Sequence, residues 1–106
     1  MNSSLENKFA LTWRAIKGGR LIPEAGLIPG RRWRVDYLHP ESAVVIEIEG
    51  GQWVGGRHGT GKGFEGDLEK YLAITLAGYT IFRLCGKQIN VPTLERIAKF
   101  IQVKVS

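Results

Sequence analysis

Two short runs of the chain alternate with a period of two, and together they restrict the fold more than any other feature. Over residues 31–38, Trp33, Val35 and Tyr37 point one way while Arg32, Arg34 and Asp36 point the other; over 43–49, Val44, Ile46 and Ile48 oppose Val45, Glu47 and Glu49. A period of two marks a strand with one face in a core. Between the runs, His39-Pro40-Glu41-Ser42 supplies turn chemistry, so the two strands form a hairpin. In an antiparallel pair, directly opposite residues share a face. Registers that bury Val35, Tyr37, Ile46 and Ile48 together therefore put Asp36 on the face of Glu47 and Glu49. The three carboxylates then converge, because opposite and diagonal neighbours lie within roughly 5–8 Å. Like charges at that range destabilise a fold unless they are protonated, exposed, paired with arginine or neutralised by a cation. Arg32 and Arg34 offer the arginine route, a solvated face of ion pairs. A metal offers another, and carboxylate oxygens suit Mg²⁺ or Mn²⁺. Val45 amid the acids favours a sheet covered on both sides, which would half-bury them.

Helical periodicity accounts for most of the remaining chain. Ser3 and Glu6 have capping-box spacing, and Leu5, Phe9, Trp13 and Ile16 form a stripe that Gly18-Gly19 ends, predicting a helix over 4–17. Pro23, Gly26, Pro29 and Gly30 punctuate a connection to the first strand. A second helix is expected over 67–77, with Leu68, Leu72, Thr75 and Leu76 facing the core and Gly78 as its C-terminal cap. Residues 79–84 read as a third strand. Pro92 opens a last helix with Leu94, Ile97, Ala98 and Ile101 on one stripe. The expected order is α-β-β-α-β-α in a single α/β domain spanning 1–106, a mixed sheet flanked by helices. Cys85, the one cysteine, follows an apolar strand and reads as a buried structural thiol.

Composition adds a partner. With 15 Lys plus Arg against 10 Asp plus Glu, the net charge is +5, and seven cations against three acids fall within residues 1–40. Such a surface favours a polyanion, with nucleic acid the first candidate. No run approaches the roughly 18 apolar residues of a membrane span, and the first residues lack a signal pattern, so a soluble intracellular protein is expected. Eight of the 17 residues over 50–66 are glycine, a density that reads as a long flexible loop. Residues 56–62 fit G-x-x-x-x-G-K, but Gly63 stands where a phosphate-binding loop needs Ser or Thr for its metal, which argues against a nucleotide site. Arg57 and Lys62 are better read as contacts to a nucleic-acid backbone, alongside Arg32 and Arg34, with Trp53 or Phe64 available to stack.

The residues resemble a known family. Asp36, followed about ten residues later by Glu47-Ile48-Glu49, is similar to the core of the PD-(D/E)XK nucleases. The stretch Val-Ile-Glu-Ile-Glu-Gly-Gly-Gln-Trp (45–53) resembles the branch of very-short-patch repair endonucleases. Glu6 on the preceding helix, Asp67-Leu-Glu-Lys70 and Gly-Tyr-Thr-Ile-Phe-Arg-Leu (78–84) extend the likeness over residues 3–90. The resemblance implies a restriction-endonuclease-like sandwich with an α-β-β-β-α-β core, hydrolysing DNA phosphodiesters with Mg²⁺ or Mn²⁺. Asp36 and Glu47 would be the metal ligands, helped by a main-chain oxygen near Ile48. Val35 replaces the signature proline, and Glu49 stands where the third signature residue is usually Lys. Glu49 could position or deprotonate water, and Lys70 is the candidate to replace the missing ammonium, with Glu6 and His58 as accessory residues. Three outcomes follow: an endonuclease that nicks mismatched or specific sites, a homodimeric junction resolvase, since two cuts need two sites, or an inactive DNA-binding module on a nuclease fold.

Overall fold

The computed structural model describes residues 4–49 and 61–106, with backbone alone over 61–64. In chain order its elements are α1 (Ser4–Ala15), β1 (Ile22–Ala25), β2 (Val35–His39), β3 (Val44–Ile48), α2 (Gly61–Leu76), β4 (Thr80–Leu84), a single 3₁₀ turn (Gly86–Gln88) and α3 (Val91–Val105). The strands lie in the order β1-β2-β3-β4. The first three are antiparallel neighbours, and β4 runs parallel to β3. A parallel neighbour needs a crossover, and α2 lies in the segment between β3 and β4. The result is a small α/β domain with a mixed four-stranded sheet and three helices.

β3 is the centre, buried along its whole length. Its Val44, Ile46 and Ile48 join Phe9 and Trp13 of α1 and Leu94, Ile97 and Ile101 of α3 in the main core. Phe9 stacks on Trp13 at 5.6 Å and meets Tyr37 at 4.9 Å, ring centroid to centroid. Trp13 also fixes the end of α1. Its Nε1–H donates to the Gly19 carbonyl at 2.8 Å, and its indole lies so close to Gly18 that a Cβ there would sit 2.2 Å from it. Only glycine admits that approach, and with Lys17 turning the chain at a left-handed φ of 57° the helix ends at Ala15, slightly short of the expected 17. At α3, the Asn90 side chain accepts the Thr93 amide at 2.9 Å, and Pro92 occupies the first turn, where its missing N–H costs nothing.

On the other face, Val45 packs with Ala25, Val35 and Ile74 in a smaller cluster under α2. Several expectations are corrected here. The connection after α1 contains β1, an edge strand of four residues; an edge tolerates Pro23 because one side of the strand needs no ladder bonds. Val35 does not share a face with Tyr37: it lies in the α2 cluster, while Tyr37 packs against the main core, so β2 turns over at Asp36. α2 begins at Gly61, inside the stretch expected to be loop. Adding residues to a formed helix costs far less than nucleating one, so a packed C-terminal half can carry a glycine-rich first turn.

The expected apolar stripe of α2 is also turned away from the sheet. Leu68, Leu72 and Leu76 are exposed, Leu76 at 78%, whereas Ile74 is 1% exposed. At 100° per residue, Lys70, Tyr71 and Ile74 fall on roughly the opposite side of the helix from those leucines. Cys85 is exposed rather than buried. β4 ends at Leu84, which takes the inward position, and Cys85 caps the 3₁₀ turn.

Candidate active site

The orientation of α2 follows from a carboxylate. Glu47 sits in the middle of the buried strand at 6% exposure. A carboxylate there is tolerable only with a full set of donors. Tyr71 Oη donates to Glu47 Oε1 at 2.6 Å, and Lys70 Nζ lies 3.5 Å from the same oxygen. The other oxygen, Oε2, accepts the Asp36 amide at 2.7 Å. Asp36 returns the contact, its Oδ2 accepting the Ile48 amide at 2.7 Å. The register Tyr37↔Ile46 sets Asp36 opposite Glu47. At this step two reciprocal side-chain–backbone bonds bridge β2 and β3. They hold two carboxylates side by side on adjacent strands, at the point where β2 turns over.

The electrostatics record the cost. Burial pushes the Asp36 carboxyl up to about 6, and the negative charges of Glu47, Glu6 and Glu24 add to the effect against the opposing Ile48 hydrogen bond. The Tyr71 hydroxyl is raised too, by burial first and then by its bond to Glu47, so it remains a proton donor to that carboxylate. Lys70 is held from a second side, donating to the Arg34 carbonyl at 2.6 Å. Its ammonium is thereby fixed between the segment entering β2 and the carboxylate on β3.

Glu49 departs from the expected trio. Its Oε2 accepts Arg83 Nε at 3.0 Å, and its amide donates to the Leu84 carbonyl at 2.7 Å. Arg83, whose pKa is raised chiefly by the Glu49 hydrogen bond, also lies over the Tyr71 ring at 4.3 Å. The structure therefore joins two carboxylates directly, with the third tied to an arginine beside them. Glu6 stands half-buried on α1, close enough for its charge to act on Asp36 and Tyr37. Arg34 Nη1 donates to the Glu24 carbonyl at 3.4 Å, and Arg32 is exposed on the same segment. Arg57, His58 and Trp53 lie outside the described residues, as do the side chains of Lys62 and Phe64.

Sequence reasoning missed Tyr71 and Arg83. A signal existed for each: Tyr71 adjoins Lys70, so any rotation of α2 that aims Lys70 at the sheet brings Tyr71 with it. Arg83 is the lone charge in the run 79–84.

Among the described residues no three His, Cys, Asp or Glu side chains gather as a metal-holding group. The donors present fit a different arrangement. Two carboxylates offer hard oxygens, and Asp36 is held where its ionised form is disfavoured, an imbalance that a cation would relieve. Mg²⁺ is commonly held by one or two carboxylates with water and substrate oxygens completing the shell.

Among the described residues no helix is long and apolar enough to cross a membrane. No family model matches the chain, and no curated protein matches it. Among solved structures it is similar to the homing endonuclease I-Bth0305I catalytic domain, with a TM-score of 0.69 and 16% identity over 99% of this chain and 100% of that one. At that identity the likeness is one of fold, and it covers every element described above.

Proposed function

We propose that the protein is a Mg²⁺- or Mn²⁺-dependent DNA endonuclease of the PD-(D/E)XK type, nearest the very-short-patch branch. The observation that carries this reading is the reciprocal locking of Asp36 and Glu47, with Lys70 fixed 3.5 Å from Glu47. A nuclease-like fold over the whole chain supports it. Asp36 and Glu47 would hold the metal, helped, as the resemblance implies, by a main-chain oxygen near Ile48. When bound, such an ion acidifies water and stabilises charge on a phosphate.

The chain's own residues do the rest. Tyr71 and the Asp36 amide orient Glu47, so that its carboxylate does not rotate away from Asp36. Lys70, restrained by the Arg34 carbonyl, supplies a positive charge where a phosphate would gather negative charge in the transition state. Arg83 sets the direction of Glu49, which positions or deprotonates the attacking water. Arg32, Arg34, Arg57 and Lys62 contact the DNA backbone, and Glu6 tunes Asp36 through its charge.

The test is a cleavage panel of linear, mismatched, flapped and four-way-junction DNA with Mg²⁺. Cutting is expected in the native chain. Asp36→Ala and Glu47→Ala are expected to lower it at least about a thousandfold, the scale of losing a principal electrostatic element, while DNA binding survives. Unchanged cutting by both variants sinks the proposal. Junction cutting would further require a dimer in solution. A second reading, a DNA-binding module without activity, is favoured by one observation: Glu49 replaces the usual Lys and is engaged by Arg83. Calorimetry separates the two, since saturable Mg²⁺ binding lost in Asp36→Ala belongs to the enzyme alone.

A further inference from the structure

The segment between β1 and β2 borders a cleft of about 680 Å³, lined by residues 26–34. Its floor is short of side chain at Gly26 and Gly30, and Gly30 takes a left-handed φ of +82° with open space where a Cβ would be. Its remaining polar character comes from Arg31, Arg32 and Arg34, and no acid lies in the lining. Arg31 lies over the Trp33 ring, 3.9 Å from its centroid, placing a guanidinium against an indole at the cleft. Three cations in a lining that holds no acid suit phosphate. An indole with a guanidinium plane suits a nucleobase, because bases stack on both. A volume in the range of small-ligand sites admits a nucleotide released from a helix and excludes an intact duplex. The cleft also adjoins the candidate active site: Arg34 holds Lys70 through its carbonyl, and Asp36 follows two residues later.

We infer that this cleft binds one unpaired nucleotide of DNA, its base stacked at Trp33 and Arg31 and its phosphate among the arginines, beside the bond presented to Asp36 and Glu47. The inference takes DNA as the polyanion from the nuclease reading, and it adds the class of substrate: DNA carrying an unpaired nucleotide near the cleavage point. Arg31 and Trp33 are binding residues in this account and take no part in breaking the bond.

The test is fluorescence anisotropy of the full chain, without divalent ion, on labelled DNAs of one sequence: a perfect duplex, a duplex with a central one-nucleotide bulge, and a single strand, with an RNA strand beside them. The native chain is expected to bind the bulged duplex about tenfold or more tightly than the perfect one, the scale of one base-stacking contact. Trp33→Ala should remove that preference while leaving duplex affinity within about twofold, Arg31→Ala should remove it and also weaken duplex binding through the lost cation, and Trp33→Phe, which keeps a stacking ring, should retain most of it. Arg32→Ala should weaken all the DNAs alike and flatten their salt dependence. Equal binding of bulged and perfect duplex, a preference that survives in Trp33→Ala and Arg31→Ala, or tighter binding of RNA than of the DNA strand overturns the inference. Cleavage with Mg²⁺ is read separately. Bulge binding without cutting contradicts the nuclease reading and leaves the cleft in place, whereas cutting with no bulge preference does the reverse.

Discussion

The two faces of the sheet are packed on different terms. Toward α1 and α3, β3 presents Val44, Ile46 and Ile48 to an aromatic and aliphatic core that includes Phe9, Trp13 and Leu94. Toward α2, the same strand presents Val45 and Glu47, and the buried apolar cluster shrinks to Ala25, Val35, Val45 and Ile74. The difference separates the face that builds stability from the face where we propose the chemistry lies. One face holds the fold through buried area, and the other spends a buried position on a carboxylate that α2 must then satisfy.

The largest expected effect lies on the first face. Phe9→Ala should cost about 3–5 kcal/mol in chemical denaturation, since it opens a cavity against Trp13 and Tyr37. An activity loss beyond what unfolding explains would break the division between the faces. Next is Tyr71→Phe, which leaves Glu47 short of a donor in a buried place. It should cost about 1–3 kcal/mol and lower cutting of DNA more than it lowers stability. A variant equally active at equal folded fraction would remove Tyr71 from the site. The smallest effect is expected outside both faces: Leu72→Ala, on the exposed side of α2, should change stability by no more than about 0.5 kcal/mol.

These variants also mark how much of the molecule could be read from its residues. The hairpin was legible because period-two alternation leaves few registers, and the placement of Asp36 opposite Glu47 follows from it. α3 was legible because its stripe and its cap agree. The face of α2 was not, since its strongest apolar stripe, Leu68, Leu72 and Leu76, is the one left in solvent. Periodicity weighs apolar residues on their own helix; it carries no information about a buried carboxylate on a strand some 20 residues away. Glu47 buried without partners would be costly, and Lys70 and Tyr71 turn inward to meet it. β1 was missed because a four-residue edge strand holding Pro23 resembles a turn-rich connection. The overturning of β2 at Asp36 has the same origin as the rotated helix. Strict alternation predicts Val35 beside Tyr37, but the ladder gives way there to the two side-chain–backbone bonds.

Asp36 carries the sharpest consequence of this division. Its carboxyl, pushed up to about 6 in the fold, has an unfolded value near 4. The folded state therefore holds this proton more tightly. The stability it contributes is complete below about pH 4 and is lost as pH rises through about 6. In a metal-free protein at pH 8 the ionised Asp36 opposes folding, and Asp36→Asn, which keeps an acceptor for the Ile48 amide, relieves that opposition.

On the proposed function, the fold tolerates this carboxylate because a cation and its substrate need it. Thermal melting at pH 8 of the native chain and Asp36→Asn, each with and without Mn²⁺, tests it most directly. Without the ion the Asn variant is expected to melt higher than the native chain, and Mn²⁺ is expected to raise the native melting temperature while leaving the variant unmoved. A variant that melts lower without the ion, or a native chain that ignores Mn²⁺, would contradict it.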